Sequence, residues 1–218
     1  MEADCRQLAD SRLSRRVFLA GVLAATALLT GCGRGPRVPG LAALGPNDVI
    51  LAFGDSLTYG TGANEAESYP AVLAELTGRK VIRSGVPGEV TAGGLARISE
   101  VLEAQRPALV IVCLGGNDML GKLDEASIKA NLREIIKTIK AGGVPVVLVG
   151  VPRPALVTDA APFYAELAAE FDAPYEGRIV TDVLYQRELK SDPIHPNAKG
   201  YRKMAEAIAV LLKKAGAI

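Results

Sequence analysis

The sequence contains no tryptophan, and only one histidine and three cysteines occur among its 218 residues. Each shortage excludes something. A single imidazole, His195, rules out a histidine-rich metal site, and three cysteines build neither a disulfide framework nor a four-cysteine zinc site. Neither sign of charge dominates: 25 Lys plus Arg stand against 24 Asp plus Glu, which leaves no electrostatic footprint for nucleic acid or an anionic membrane surface. Apolar residues are plentiful at 49%, with 22% charged, a balance too apolar for disorder and suited to one compact domain. Any acid–base step that uses imidazole falls to His195.

A hydrophobic run long enough to span a bilayer is also missing near the start. The uncharged stretch from Val17 to Thr30 has 14 residues, whereas a spanning helix needs about 20 and a secretory signal roughly 7 to 15. It follows the twin-arginine pattern Ser14-Arg15-Arg16-Val17-Phe18-Leu19 and ends in Leu29-Thr30-Gly31-Cys32, which resembles the bacterial lipobox. Residues 1–31 are therefore expected to be a twin-arginine lipoprotein signal peptide. Cys32 is expected to be acylated, residues 32–46 to be the lipidated cysteine and its tether, and residues 47–218 to be the domain. The alternative is a buried N-terminal helix with an incidental cysteine. Removal of residues 1–31 takes away four Arg and three acids, leaving 187 residues with 21 basic and 21 acidic side chains. Cys113, alone in the run Leu109-Val110-Ile111-Val112-Cys113-Leu114, reads as core packing.

Beyond residue 40, short apolar runs alternate with segments of helical period, the pattern of βαβ units around a parallel sheet. Strands are expected at Val49 to Phe53, Val81-Ile82, Ala108 to Leu114 and Val144 to Val151, with Arg178-Ile179-Val180 a weak fifth. Helices are expected near 67–77, 92–105, 125–141, 161–171 and 198–214. In the third of these, Ile128, Leu132, Ile135, Ile136 and Ile139 are spaced by three and four, and Gly142-Gly143 supplies its stop. The expectation is one three-layer α/β/α domain, whose working residues lie on loops after the carboxyl ends of strands.

Four such loops carry unusual residues. The first run leads into Gly54-Asp55-Ser56-Leu57-Thr58, the second into Gly85-Val86-Pro87-Gly88-Glu89, and the third into Gly115-Gly116-Asn117-Asp118. Each alone is consistent with helix capping or a turn. The fourth, Ser191-Asp192-Pro193-Ile194-His195-Pro196-Asn197, precedes the last helix. Its Asp-x-x-His spacing lets a carboxylate accept from imidazole Nδ1 while Nε2 faces a third group, for which Ser56 is the candidate. The stretch Gly116 to Lys122 comes within one residue of a phosphate-binding loop, but Leu123 stands where that loop needs a hydroxyl. No Gly-x-Ser-x-Gly nucleophile elbow occurs.

In order and placement, the four blocks resemble the SGNH, or GDSL, serine hydrolase family, and within it the small bacterial periplasmic thioesterase, lysophospholipase and arylesterase group. The resemblance runs from about Asp48 to the last helix. It implies a flavodoxin-like α/β/α sandwich with a parallel sheet of about five strands. It also implies Ser56 as nucleophile, His195 as general base and then acid, and Asp192 as the orienting carboxylate. The oxyanion hole would be the N–H groups of Ser56 and Gly88 and the side-chain amide of Asn117, with Gly85 competing for the place of Gly88. Arg83 stands where the family often has asparagine, and Tyr175-Glu176-Gly177 is more polar than the strand of relatives.

The function so implied is ester hydrolysis through an acyl-enzyme, on carboxylic or thioester bonds of small acylated substrates such as lysophospholipid, aryl or short-chain esters. No cofactor, metal or nucleic acid is expected, and the protein is expected to be a monomer. Its expected place is the periplasmic side of a membrane, which it contacts through the lipid on Cys32. Acetyl-esterase action on glycans or peptidoglycan and a non-catalytic lipoprotein are the rival expectations.

Overall fold

The computed structural model describes residues 37–153 and 159–218; the expected signal peptide and Cys32 lie outside the described residues. Five parallel strands form one sheet in the order β2-β1-β3-β4-β5. They are β1 (Val49–Gly54), β2 (Lys80–Gly85), β3 (Leu109–Cys113), β4 (Val146–Val149) and β5 (Tyr175–Glu176). The helices are α1 (Ser56–Tyr59), α2 (Tyr69–Thr77), α3 (Thr91–Gln105), α4 (Gly116–Leu120), α5 (Glu125–Ala141), α6 (Pro162–Glu170), α7 (Ile179–Tyr185) and α8 (Ala198–Ala215).

The strands explain themselves by composition. β3 and β4 are Val/Leu/Ile-rich and buried at every position, as strands covered on both faces must be. Helix contacts fall into two sets, α2 with α8 and α7 with α8 on one side, α3 with α5 and α5 with α6 on the other. These are the outer layers of the sandwich. α5 buries the five residues of its apolar stripe, Ile128, Leu132, Ile135, Ile136 and Ile139, and Gly142 ends it. α8 is capped by Asn197, whose side chain accepts from Gly200 N–H at 3.1 Å. Cys113 is buried at the end of β3.

The fifth strand corrects the expectation: Ile179-Val180 opens helix α7, and β5 lies just before it at Tyr175–Glu176. Glu176 Oε1 accepts from the N–H groups of Arg178 and Ile179, at 2.9 and 3.0 Å. That satisfies helix-start donors, and Val180, Val183 and Leu184 then fall on one buried face at helical spacing.

Residues 38–45 pack against the domain rather than leaving it. Val38, Leu41 and Leu44 lie against the core, and the N–H groups of Leu41 and Leu44 donate to the carbonyls of Ala215 and Ala217, each at 2.8 Å. Arg79, one residue before β2, donates to Leu44 O at 3.1 Å. All these contacts sit at the amino-terminal edge of the sheet, opposite the strand ends that carry the four motifs.

Candidate active site

The order of the sheet changes direction between β1 and β3, and side chains after the carboxyl ends of neighbouring strands converge there. β1 ends at Gly54, and Ser56 is the first residue of α1. Asp55 caps that short helix by accepting from Leu57 N–H at 3.0 Å. Thr58 and Tyr69 share a hydroxyl hydrogen bond of 3.0 Å, and the Tyr201 hydroxyl donates to Thr61 O at 2.7 Å, so the turn is braced from α2 and α8. Gly85 lies against this turn: a Cβ there would come within 2.2 Å of Tyr59 N and 2.6 Å of Asp55 O. Its lack of a side chain serves close packing beneath α1. Arg83, the departure from the family pattern, donates to Tyr59 O at 2.6 Å and lies over the Tyr59 ring.

The Asp-His loop meets this turn from 139 residues away in sequence. His195 Nε2 is 3.0 Å from Ser56 Oγ, and His195 Nδ1 is 2.7 Å from Asp192 Oδ2. With Asp192 accepting from Nδ1–H, the Nε2 lone pair faces the serine hydroxyl. The other Asp192 oxygen accepts from the N–H groups of Ile194 and His195, each at 2.9 Å. Burial pushes the Asp192 carboxyl up, but the His195 hydrogen bond and these two backbone donors outweigh it and hold the carboxyl below its ordinary value. The loop itself is closed by Ser191 N–H donating to His195 O and Asn197 N–H donating to Leu189 O, both at 2.9 Å.

Gly88 stands at φ +80°, in the left-handed region that favours glycine, and a Cβ there would meet nothing within 4 Å. Among the described residues, its N–H has no backbone acceptor. Asn117, on the first turn of α4, donates through Nδ2 to Glu89 O at 2.9 Å, which ties it to the glycine loop and leaves its second amide hydrogen free to point elsewhere.

Three groups behind this surface were not singled out by sequence pattern. The Glu89 carboxylate forms a bidentate pair with Arg97, at 2.7 and 2.6 Å. Arg97 also donates to Ser84 Oγ, Ser84 O and Gly54 O, and stacks over Phe53 at 4.0 Å. Buried Asp118 accepts from Thr91 N–H and from the Thr91 hydroxyl at 2.6 Å, pinning α4 to the start of α3. Buried Tyr164 donates to Leu114 O at 2.8 Å and holds the end of β3. The signal for Arg97 in the sequence was slight: an arginine just past Gly93-Gly94 in a helix, where two glycines mark close packing.

Beside Ser56 runs a mainly apolar cleft lined by Leu57, Leu120, Val151, Pro152, Leu184 and Ile194, with Asn117 and Asp55 among its polar groups and Arg153 also lining it. Asp55 is buried, and burial raises its carboxyl from 3.8 to about 7 against the Leu57 hydrogen bond, with the nearby charges of Glu89 and Asp118 adding to the rise. The Gly116 to Lys122 stretch is helical through Leu120 and forms no phosphate cradle. No group of three or more His, Cys, Asp or Glu among the described residues is placed to hold a metal ion, and no described helix is long and apolar enough to cross a membrane.

A serine hydroxyl in line with an imidazole and a carboxylate is a constellation suited to acyl transfer. The chain is similar to known proteins. The sequence model of the GDSL-like Lipase/Acylhydrolase family matches residues 52–203. Thioesterase 1/protease 1/lysophospholipase L1 of Escherichia coli K12 is 30% identical over 174 residues, which cover 76% of this chain and 84% of that protein. Arylesterase of Vibrio mimicus is 29% identical over 187 residues, 79% of this chain and 92% of that one. Among solved structures, AlinE4, an SGNH-hydrolase family esterase, is 34% identical and superposes with a TM-score of 0.57, over 79% of this chain and 98% of its own.

Proposed function

Because the chain belongs to the GDSL-like lipase/acylhydrolase family, and so is a hydrolase of ester bonds, we propose that it works through an acyl-enzyme formed on Ser56. The observation that carries this reading is the line Ser56 Oγ, His195 Nε2, His195 Nδ1, Asp192 Oδ2, with separations of 3.0 and 2.7 Å. His195 takes the hydroxyl proton as Ser56 Oγ attacks the acyl carbonyl, and Asp192 holds the ring in the tautomer that allows it. The oxyanion of the tetrahedral intermediate is met by the N–H groups of Ser56 and Gly88 and the second amide hydrogen of Asn117. His195 then passes its proton to the leaving alkoxide or thiolate, and water, activated by the same imidazole, releases the acid.

The substrates of this reading are small acylated molecules, with lysophospholipid, aryl and short-chain esters foremost. Support comes from the apolar cleft beside Ser56 and from the activities in the relatives' names. The test is hydrolysis of p-nitrophenyl esters of increasing chain length by the full chain, with Ser56→Ala beside it. The expected result is turnover by the wild type and a loss of roughly 1,000-fold or more in the variant. Equal inertness of both at every chain length would sink the reading.

The same proposal places the protein on the periplasmic side of a membrane, held by acylated Cys32 and acting as a monomer. It is supported by the order of arginine pair, short apolar run and lipobox. Cys32→Ser should move the protein from the membrane fraction to the soluble fraction, and an unchanged distribution would refute the anchor.

A further inference from the structure

A helix cap needs one oxygen, and Asp55 brings two. Oδ1 accepts from Leu57 N–H and closes the cap of α1. Among the described residues, Oδ2 has no hydrogen-bond partner, although Asp55 is only 2% exposed. A serine or threonine would cap the helix as well, without a second buried oxygen that costs free energy when unpaired. Its surroundings show where that oxygen faces. Asp55 lines the apolar cleft beside Ser56, together with Leu57, Gly116 and Val151. A Cβ on Gly116 would come within 3.6 Å of Oδ2 and 3.4 Å of Val151 Cγ1, so the missing side chain leaves the oxygen uncovered on that side.

Two neighbours fix its place relative to the reaction. Asp55 directly precedes the nucleophile, at the Cα spacing of about 3.8 Å, and Gly116 directly precedes Asn117, the proposed oxyanion donor. A group that meets Oδ2 is therefore borne close to the acyl carbonyl, on the second or third carbon of the chain. It has to be a hydrogen-bonding group, because an apolar one would leave the oxygen buried and unpaired. Charge chooses between the candidates. An ammonium would enter a mainly apolar cleft that Arg153 also lines, whereas a hydroxyl brings no charge to desolvate. A hydroxyl also suits both forms of the carboxyl, which burial raises to about 7: the ionised form accepts from it and the protonated form donates to it.

We propose that Asp55 is a specificity-determining residue, and that the protein prefers esters whose acyl group carries a hydroxyl on its second or third carbon, bound by Asp55 Oδ2. This deepens the esterase reading above and rests on it. The hydroxyl takes no part in making or breaking bonds, so it is held alike in the substrate and in the transition state. Uniform binding of this kind lowers KM and leaves kcat unchanged.

The experiment compares the full chain on p-nitrophenyl butyrate, 2-hydroxybutyrate and 3-hydroxybutyrate, with each hydroxy ester supplied as separate enantiomers. Each kcat/KM is divided by that ester's rate with hydroxide alone, which removes the intrinsic reactivity that the hydroxyl adds. One buried hydrogen bond is worth about tenfold, so the expected result is a preference of at least about fivefold for one hydroxy ester, carried by KM. Asp55→Ser keeps a cap and withdraws the second oxygen, and the preference should fall below about twofold. Asp55→Asn keeps a hydrogen-bonding group in that place and should retain at least half of it. If Asp55→Ser does not fold, Gly116→Ala carries the same expectation, since it sets a methyl group 3.6 Å from Oδ2 and leaves the cap intact. A wild-type preference below about fivefold, or one that stays above about twofold in the variant that removes or covers the oxygen, would overturn the proposal. Loss in Asp55→Asn as well would show that charge and not hydrogen bonding sets the preference, and would overturn it too. If plain butyrate is hydrolysed no faster by the wild type than by Ser56→Ala, the esterase reading itself has failed, and the unsubstituted ester shows this apart from any preference.

Discussion

At the scale of single residues, the site separates groups that react from groups that wait. Asn117 is the second kind. One amide hydrogen is committed to Glu89 O, and the other is the proposed oxyanion donor. Asn117→Ala should therefore lower kcat about 100- to 1,000-fold while leaving KM for a short p-nitrophenyl ester nearly unchanged, since the donor acts on charge that exists only in the transition state. Steady-state kinetics beside a thermal melt checks this, and a parallel rise in KM would mean the amide binds ground-state substrate instead.

Asp55 poses a different question, because its carboxyl is buried, caps α1 and is raised from 3.8 to about 7. Between those values the folded protein holds a proton that the unfolded chain has released. Stability from this group is thus fully present below about pH 4 and is lost as pH rises through about 7, by at most about 1.4 kcal/mol for each pH unit crossed between the two values. Asp55→Asn keeps an acceptor for Leu57 N–H and carries no charge to desolvate. The difference in melting temperature from wild type should be near zero at about pH 4, rise as pH climbs to about 7 and level off above that. A difference that does not change with pH would remove the buried-charge explanation.

At the scale of elements, the strand ends have to be held in register for the proposed donors to meet one oxygen. Arg97 on α3 does this: it bonds Gly54 O from β1, Ser84 O from β2 and the Glu89 side chain, whose own carbonyl receives Asn117. Arg97 is a positioning residue. Arg97→Met leaves the nearly buried Glu89 carboxylate unpaired, which costs roughly 3–5 kcal/mol, whereas removing both partners is far less costly. The double variant Arg97→Met/Glu89→Met should recover much of the melting temperature lost by the single one and still show kcat lowered about tenfold or more. Recovery of kcat along with stability would make the pair structural only.

Elements also show how much of the molecule could be read beforehand. The central strands and the long helices follow from apolar runs and three-four spacing, so β1, β3, β4, α3, α5 and α8 were legible to within about two residues. Ser56, Asp192 and His195 stood out because each sits near the start or end of an apolar run or a helix, and the fold brings the three side chains together. Ile179-Val180 misled, since two β-branched residues look like a strand until Glu176 is seen capping the turn before them. Helices α1 and α4 are four and five residues long, too short to show a period, and arise from the Asp55 cap and from Gly115 at φ +116°. Arg97 was hidden because its meaning comes from Gly54, Ser84 and Glu89, neighbours that only the folded sheet assembles.

At the scale of the whole molecule, the two ends of the domain meet: residues 38–45 lie on the last turn of α8 and on the residues after it. The carbonyls at the end of a helix have no partners within it, so Leu41 N–H satisfies one that would otherwise depend on water. A chain that begins at Val38 retains this closure, while one that begins at Asn47 loses two backbone hydrogen bonds and the packing of Val38, Leu41 and Leu44. At about 1 kcal/mol for each bond plus a similar amount for three half-buried side chains, the loss is roughly 2–4 kcal/mol. In a domain of this size that lowers the melting temperature by about 5–15 °C. Ser56, Asp192 and His195 lie at the opposite pole, so kcat/KM for a soluble ester, measured well below the melt, should be the same for both chains. A shorter chain that melts with the longer one would show that the segment merely rests on the domain, and the entry point of the chain would then no longer be fixed to that pole.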